Sequence, residues 1–71
     1  MVHHRGMDTD SITVPGRKLA AQREAYGVTQ GAIARRLMHH RNTIARWEAD
    51  PAVDKRRQRL YLAALRELAD Q

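Results

Sequence analysis

Gly27 and the Asp50-Pro51 pair cut this 71-residue chain into three stretches of 20 to 26 residues. Proline disfavours a helical conformation in the residue before it, so a helix must stop at Asp50. Gly27 can take the left-handed backbone that ends a helix just past its cap. Between these stops the apolar residues recur at helical spacing. Leu19, Ala20, Arg23 and Tyr26 mark a first helix, with Thr13 as its cap and Pro15 in its first turn, where a missing N–H costs nothing. Thr29 caps a second, whose apolar face is Ile33, Ala34 and Leu37. After Met38-His39-His40 a third begins, with Ile44 and Trp47 three apart. Asp54 caps a last helix whose stripe is Leu60, Tyr61, Ala64, Leu65 and Leu68; Leu62 lies off that stripe and widens the apolar surface. No stretch alternates cleanly and no Asn-Gly or Asp-Gly turn occurs, so strands are not expected. The expected fold is all-α, a compact bundle of four helices, five at most.

A chain of this length buries only roughly 60% of its unfolded surface, which leaves one small core. With no cysteine there is neither a disulfide nor a thiolate metal cage to support it. Good helix packing or oligomerisation must do so instead. Residues 1–12 lack periodicity and read as a flexible tail; residues 13–71 read as the domain. His3 and His4 in that tail make a poor metal site alone, and the acids Asp8 and Asp10 offset Arg5. No apolar run approaches the length of a membrane span, so the expected compartment is the cytoplasm and no membrane partner is expected.

Charge narrows the partner. The 13 Lys and Arg residues outnumber 8 Asp and Glu, for a net +5. The excess sits in the middle: from Arg17 to Arg59 there are 11 basic residues against four acidic ones, Glu24, Glu48, Asp50 and Asp54. With only three aromatic residues, such a domain suits a polyanion, of which the phosphate backbone is the commonest. The third helix shows how sequence could be read. Taken from Arg41 at about 100° per residue, Arg41, Ala45, Asn42 and Arg46 fall near 0°, 40°, 100° and 140°, while Trp47, Ile44 and Glu48 fall near 240°, 300° and 340°. One arc is apolar and the opposite arc carries long donors, no acid, and a small alanine. Arginine forks onto guanine O6 and N7, asparagine pairs with adenine N6 and N7, and an alanine allows close approach to the groove floor. A solvated face is the bland alternative, but it has no need to exclude acids. The short link between helices two and three is that of a helix-turn-helix.

The run Leu19 … Arg23 … Gly27-Val28-Thr29-Gln30 … Ile33-Ala34 … Leu37 … Thr43-Ile44 … Arg46-Trp47-Glu48 resembles the Cro/phage-repressor (Xre) type helix-turn-helix family over roughly Arg17 to Val53. The resemblance implies a lambda-repressor-like fold and a double-stranded DNA operator as partner. It implies that Gln30 grips a phosphate and braces the reading helix, and that His40, Arg41, Asn42, Thr43 and Arg46 meet DNA. With Ala45 this gives a base-reading set of Arg41, Asn42, Thr43, Ala45 and Arg46, and phosphate contacts at Gln30 and His40. It further implies an ion pair between Arg23 and Glu48. Lys55 and Arg56, at the start of the last helix, are assigned to phosphate, because cations there oppose the helix dipole unless an anion lies alongside. Two positions depart from the pattern. Met38 stands where the family has a glycine with positive φ, and His39 where it has a buried aliphatic residue. His39 is then either a neutral core histidine or leans into solvent. Adjacent histidines rarely converge on one ion, so no metal is expected at His39-His40.

The resulting expectation is a DNA-binding transcriptional regulator, Cro-like or a short repressor. It would bind as a homodimer through the C-terminal segment, in the nucleoid of a bacterial or phage-infected cell. No cofactor and no small-molecule ligand is evident. Enzymatic chemistry is not expected: Ser11 lies in the tail, there is no cysteine, and no histidine–carboxylate pair has motif spacing. The rival reading is an antitoxin or adaptor that uses the same fold to bind protein.

Overall fold

A computed structural model describes residues 12–71; the tail proposed at 1–12 lies outside that range except for Ile12. Four helices follow one another: α1 (Gly16–Ala25), α2 (Gln30–Leu37), α3 (Arg41–Ala49) and α4 (Lys55–Ala69). α3 and α4 both pack on α2 and on α1. The core between them is Leu19, Ile33, Ala34, Ile44, Val53, Tyr61, Ala64 and Leu65. Among the described residues there is no strand, only one antiparallel bridge between Val14 and Val53. The all-α, four-helix expectation therefore holds.

The first helix starts differently from the sequence expectation. Its N-cap is Pro15, extended at φ −63° and ψ 137°, with no side-chain cap, so Thr13 is not the cap and Pro15 is not inside the first turn. The start is held by the backbone instead: the Gly16 N–H donates to the Asp50 carbonyl at 2.7 Å. Gly16 lies so close to the end of α3 that a Cβ there would come 1.9 Å from the Trp47 carbonyl oxygen. Buried Gln58 adds a clasp, its Nε2 donating to the carbonyls of Val53 at 2.9 Å and Ile12 at 3.2 Å. The segment before α1 is thereby pinned across the α3–α4 loop.

The stripes also need adjustment. Tyr26 is the C-cap of α1 and 64% exposed, so it is not part of the inner face. On α4, Gln58, Tyr61, Ala64 and Leu65 are buried, Leu68 is half-buried, and Leu60 faces solvent. Leu62, off the stripe, packs against the core edge.

Two turns end α1 and α2 with the same hydrogen-bond pattern. After α1, Gly27 sits at φ 71°; its N–H donates to the Glu24 carbonyl and that of Val28 to Arg23. After α2, Met38 sits at φ 60°; its N–H donates to Arg35 and that of His39 to Ala34. Each is a left-handed helix stop in which two otherwise orphaned carbonyls are satisfied. The second is built with a residue that carries a Cβ, at roughly 1 kcal/mol relative to glycine.

Candidate nucleic-acid interface

The third helix is placed by caps and by its inner face. Thr29 caps α2 by accepting from the Ala32 N–H at 3.1 Å. His40 caps α3, its Nδ1 accepting from the Asn42 N–H at 3.4 Å. His39 leans into solvent and lays its ring against Trp47, centroids 5.5 Å apart and planes at 66°. The two histidines thus have separate tasks. At the far end Asp50 is extended, as the following proline requires.

Glu48 anchors the inner face. Its side chain is 8% exposed and accepts four hydrogen bonds. Arg23 forks onto it, Nε to Oε2 at 2.7 Å and Nη2 to Oε1 at 3.1 Å. Gln30 Nε2 donates to Oε1 at 2.9 Å, and the Tyr61 hydroxyl to Oε2 at 2.5 Å. One carboxylate therefore ties α3 to all three other helices. Burial pushes the Glu48 carboxyl up, but the bonds from Arg23, Tyr61 and Gln30, with the Arg23 charge, outweigh it and hold the group below its ordinary range. Burial and the neighbouring carboxylate push the Tyr61 hydroxyl well above its ordinary value. The bond to Glu48 holds the Arg23 guanidinium above its own ordinary value. Arg23 also donates Nη1 to the Val28 carbonyl at 2.9 Å, so it closes the α1–α2 turn as well.

The network continues outward through Gln30. With Nε2 committed to Glu48, its Oε1 points away and accepts from Arg41 Nη1 at 3.2 Å. This orients the first residue of α3, and Gln30, Arg41 and the start of α2 share one open hollow. Arg41, Asn42 and Arg46 are exposed along α3, with Thr43 and Ala45 half-buried between them. Arg46 and Thr43 border a second hollow, shared with Trp47, Asp50, Pro51 and Arg57. Lys55, half-buried, and Arg56, exposed, begin α4 and do not line that hollow; the α4 cation that does is Arg57. Arg57 holds the loop, donating to Asp50 Oδ2 at 3.0 Å and to Asp54 Oδ1 at 3.2 Å. Asp54 caps α4 through the Arg57 N–H at 2.9 Å. Backbone N–H bonds, from Ala52 to Asp50 and from Arg57 to Asp54, lead in holding both carboxyls below their usual range, with the Arg57 side chain adding to each.

Sequence reasoning overlooked Gly16, Gln58, Arg57 and the hydroxyl of Tyr61. Gly16 carried a signal, a glycine beside a helix start. In the sequence Tyr61 reads only as an apolar ring of the last helix, and its partner lies 13 residues away in another helix. Among the described residues no three His, Cys, Asp or Glu side chains gather as a metal site, and no helix is long and apolar enough to cross a membrane.

Two helices joined by a three-residue turn, the second exposing arginine and amide donors, define a helix-turn-helix domain of the DNA-binding kind. A helix-turn-helix family model matches residues 19–67, and the chain belongs to that family, the Xre/Cro-type helix-turn-helix proteins. No curated protein and no solved structure matches the chain.

Proposed function

We propose that this protein is a sequence-specific regulator of transcription, of the Cro-like or short-repressor kind, that reads duplex DNA with the outer face of α3. The observation that carries the reading is the contrast across that helix. The carboxylate of Glu48 is fully paired, while Arg41, Asn42 and Arg46 face solvent. Arg41, Asn42 and Arg46 present donors suited to base edges in the major groove, and Thr43 and Ala45 supply the close contacts between them. Gln30 and His40, at the starts of α2 and α3, lie where backbone N–H groups already favour an anion and are assigned to phosphate. Lys55 and Arg56 are assigned to the flanking phosphates.

A homodimer is the proposed binding unit. Its operator has two half-sites with centres about 34 Å apart, or a multiple of that. Such a partner places the protein at the nucleoid, in the cytoplasm of a bacterial or phage-infected cell. One observation favours the second reading, an antitoxin or adaptor acting on protein. Between the C-terminal ends of α1 and α4 lies a hollow lined by Tyr26, Leu62, Leu65 and Ala69, with Tyr26 64% exposed. Selection from random duplex DNA, with stoichiometry measured on the enriched sequence, tests both. The reading expects a two-half consensus bound by two chains. Failure to enrich any sequence, in a protein that is folded, would overturn it in favour of the protein-binding alternative.

A further inference from the structure

We propose that Arg57 keeps Arg46 available to DNA by occupying the Asp50 carboxylate that Arg46 would otherwise pair with. This inference rests on the reading of Arg46 as a base-contacting residue.

Arg46 and Asp50 are four residues apart at the end of α3, a separation at which opposite charges on a helix meet. They border the same hollow, together with Arg57. Yet Arg46 makes no hydrogen bond or ion pair among the described residues, and the free oxygen of Asp50 goes to Arg57. The other oxygen, Oδ1, accepts from the Ala52 N–H at 2.9 Å. Two guanidinium groups thus border one carboxylate whose Oδ1 is held by the backbone and whose other oxygen and charge are already matched by Arg57. Arg57 holds it because its fork gains more at once: Asp50 Oδ2 at 3.0 Å, Asp54 Oδ1 at 3.2 Å and the Ala52 carbonyl at 3.5 Å. Arg46, four residues back along α3, would gain only Asp50. Charge-assisted forks that engage several acceptors are the stronger ones.

The consequence concerns specificity. Arg46 drawn onto Asp50 would be held toward the end of α3, and turning its fork to guanine O6 and N7 would break that pair. Breaking it counts against the preferred sequence only, since on a mismatched one Arg46 remains paired. Arg57 therefore acts as a positioning residue, sparing Arg46 this competition without touching a base.

The test compares Arg57→Ala, Asp50→Asn, the double variant and Arg46→Ala, with melting curves to verify folding. Asn at position 50 keeps Oδ1 for Ala52 and removes the charge. Preference for the base pair that Arg46→Ala relaxes should fall two- to fivefold in Arg57→Ala, the range of an exposed ion pair. It should return to the wild-type ratio in the double variant and be unchanged in Asp50→Asn alone. A preference unaltered in Arg57→Ala, or not restored by Asp50→Asn, overturns the inference. So does a loss equal on all sequences, which would make Arg57 a phosphate ligand. If Arg57→Ala does not fold, Arg57→Gln, which keeps a neutral donor and removes the charge, carries the same comparison. A DNA-free arm separates this inference from the functional reading. By NMR titration, removing Arg46 should raise the Asp50 carboxyl in the Arg57→Ala background and leave it unmoved when Arg57 is present. Equal shifts in both backgrounds overturn the competition, whatever DNA binding shows.

Discussion

The nine residues of α3 carry two faces that are completed in opposite ways. On the inner face Ile44 is fully buried and Glu48 has every bond its carboxylate needs from α1, α2 and α4. On the outer face Arg41, Asn42 and Arg46 stand in solvent, and among the described residues only Arg41 has a side-chain partner. The inner face holds the helix in place and the outer face is left to be satisfied by something else. Stability and recognition are thus assigned to different side chains of one element, and variants should separate them.

Glu48→Ala should have the largest effect. It leaves the guanidinium of Arg23, 11% exposed, without its carboxylate, and breaking a buried pair from one side costs about 3–5 kcal/mol. Denaturant unfolding would measure it, and for so small a domain this approaches the whole stability. Tyr61→Phe removes one bond to the same carboxylate and should cost about 1.5–3 kcal/mol, with the fold intact by circular dichroism.

The same inner face should set the pH range of stability. The Glu48 carboxyl is held below its ordinary 4.5, so its contribution is present above that value and is lost as pH falls through the lower folded one. The Tyr61 hydroxyl is raised above its ordinary 10.0, so its contribution is present below 10 and is lost as pH rises beyond it. Melting temperature against pH should therefore show a plateau between these limits. Tyr61→Phe should flatten the alkaline fall and keep the acid one.

Outside α3's inner face the effects should be smaller. Lys55→Ala is expected to weaken all DNA sequences alike and reduce the salt dependence of binding by about one unit, with no loss of melting temperature. Met38→Gly should raise stability by about 1 kcal/mol, because it relieves the left-handed strain at φ 60° that Gly27 avoids in the matching turn. A lower melting temperature would mean that Met38 contributes contacts outweighing that strain.

How much was legible beforehand follows from the same division. Local signals gave the helices: Thr29 and Asp54 as caps, Gly27 as a stop, and proline after Asp50. They misplaced the start of α1, because Pro15 and Gly16 are held there by Asp50, a contact 34 residues distant. Periodicity sorted Ile44 and Trp47 from Arg41, Asn42 and Arg46. It put Tyr26 and Leu60 inside, since spacing gives a direction on a helix and not what stands opposite. The family resemblance suggested Arg23 with Glu48, but neither pattern nor resemblance disclosed that Tyr61 completes the set. Nor did either reveal that Arg57, rather than Lys55 or Arg56, turns toward the hollow beside Arg46. Those facts depend on where packing against α1 and α2 sets α4 beside α3, and nothing local to either helix encodes it.

The central claim is that α3's outer face reads bases while its inner face holds the fold. The most direct measurement is the affinity of Arg46→Ala for the selected operator and for each single-base-pair variant, with melting followed alongside. The account predicts a loss of about 1–3 kcal/mol on the preferred sequence, confined to preference at one base pair in each half-site. It also predicts a melting temperature within error of the parent. An equal loss on every sequence, or a loss explained by unfolding, would contradict it.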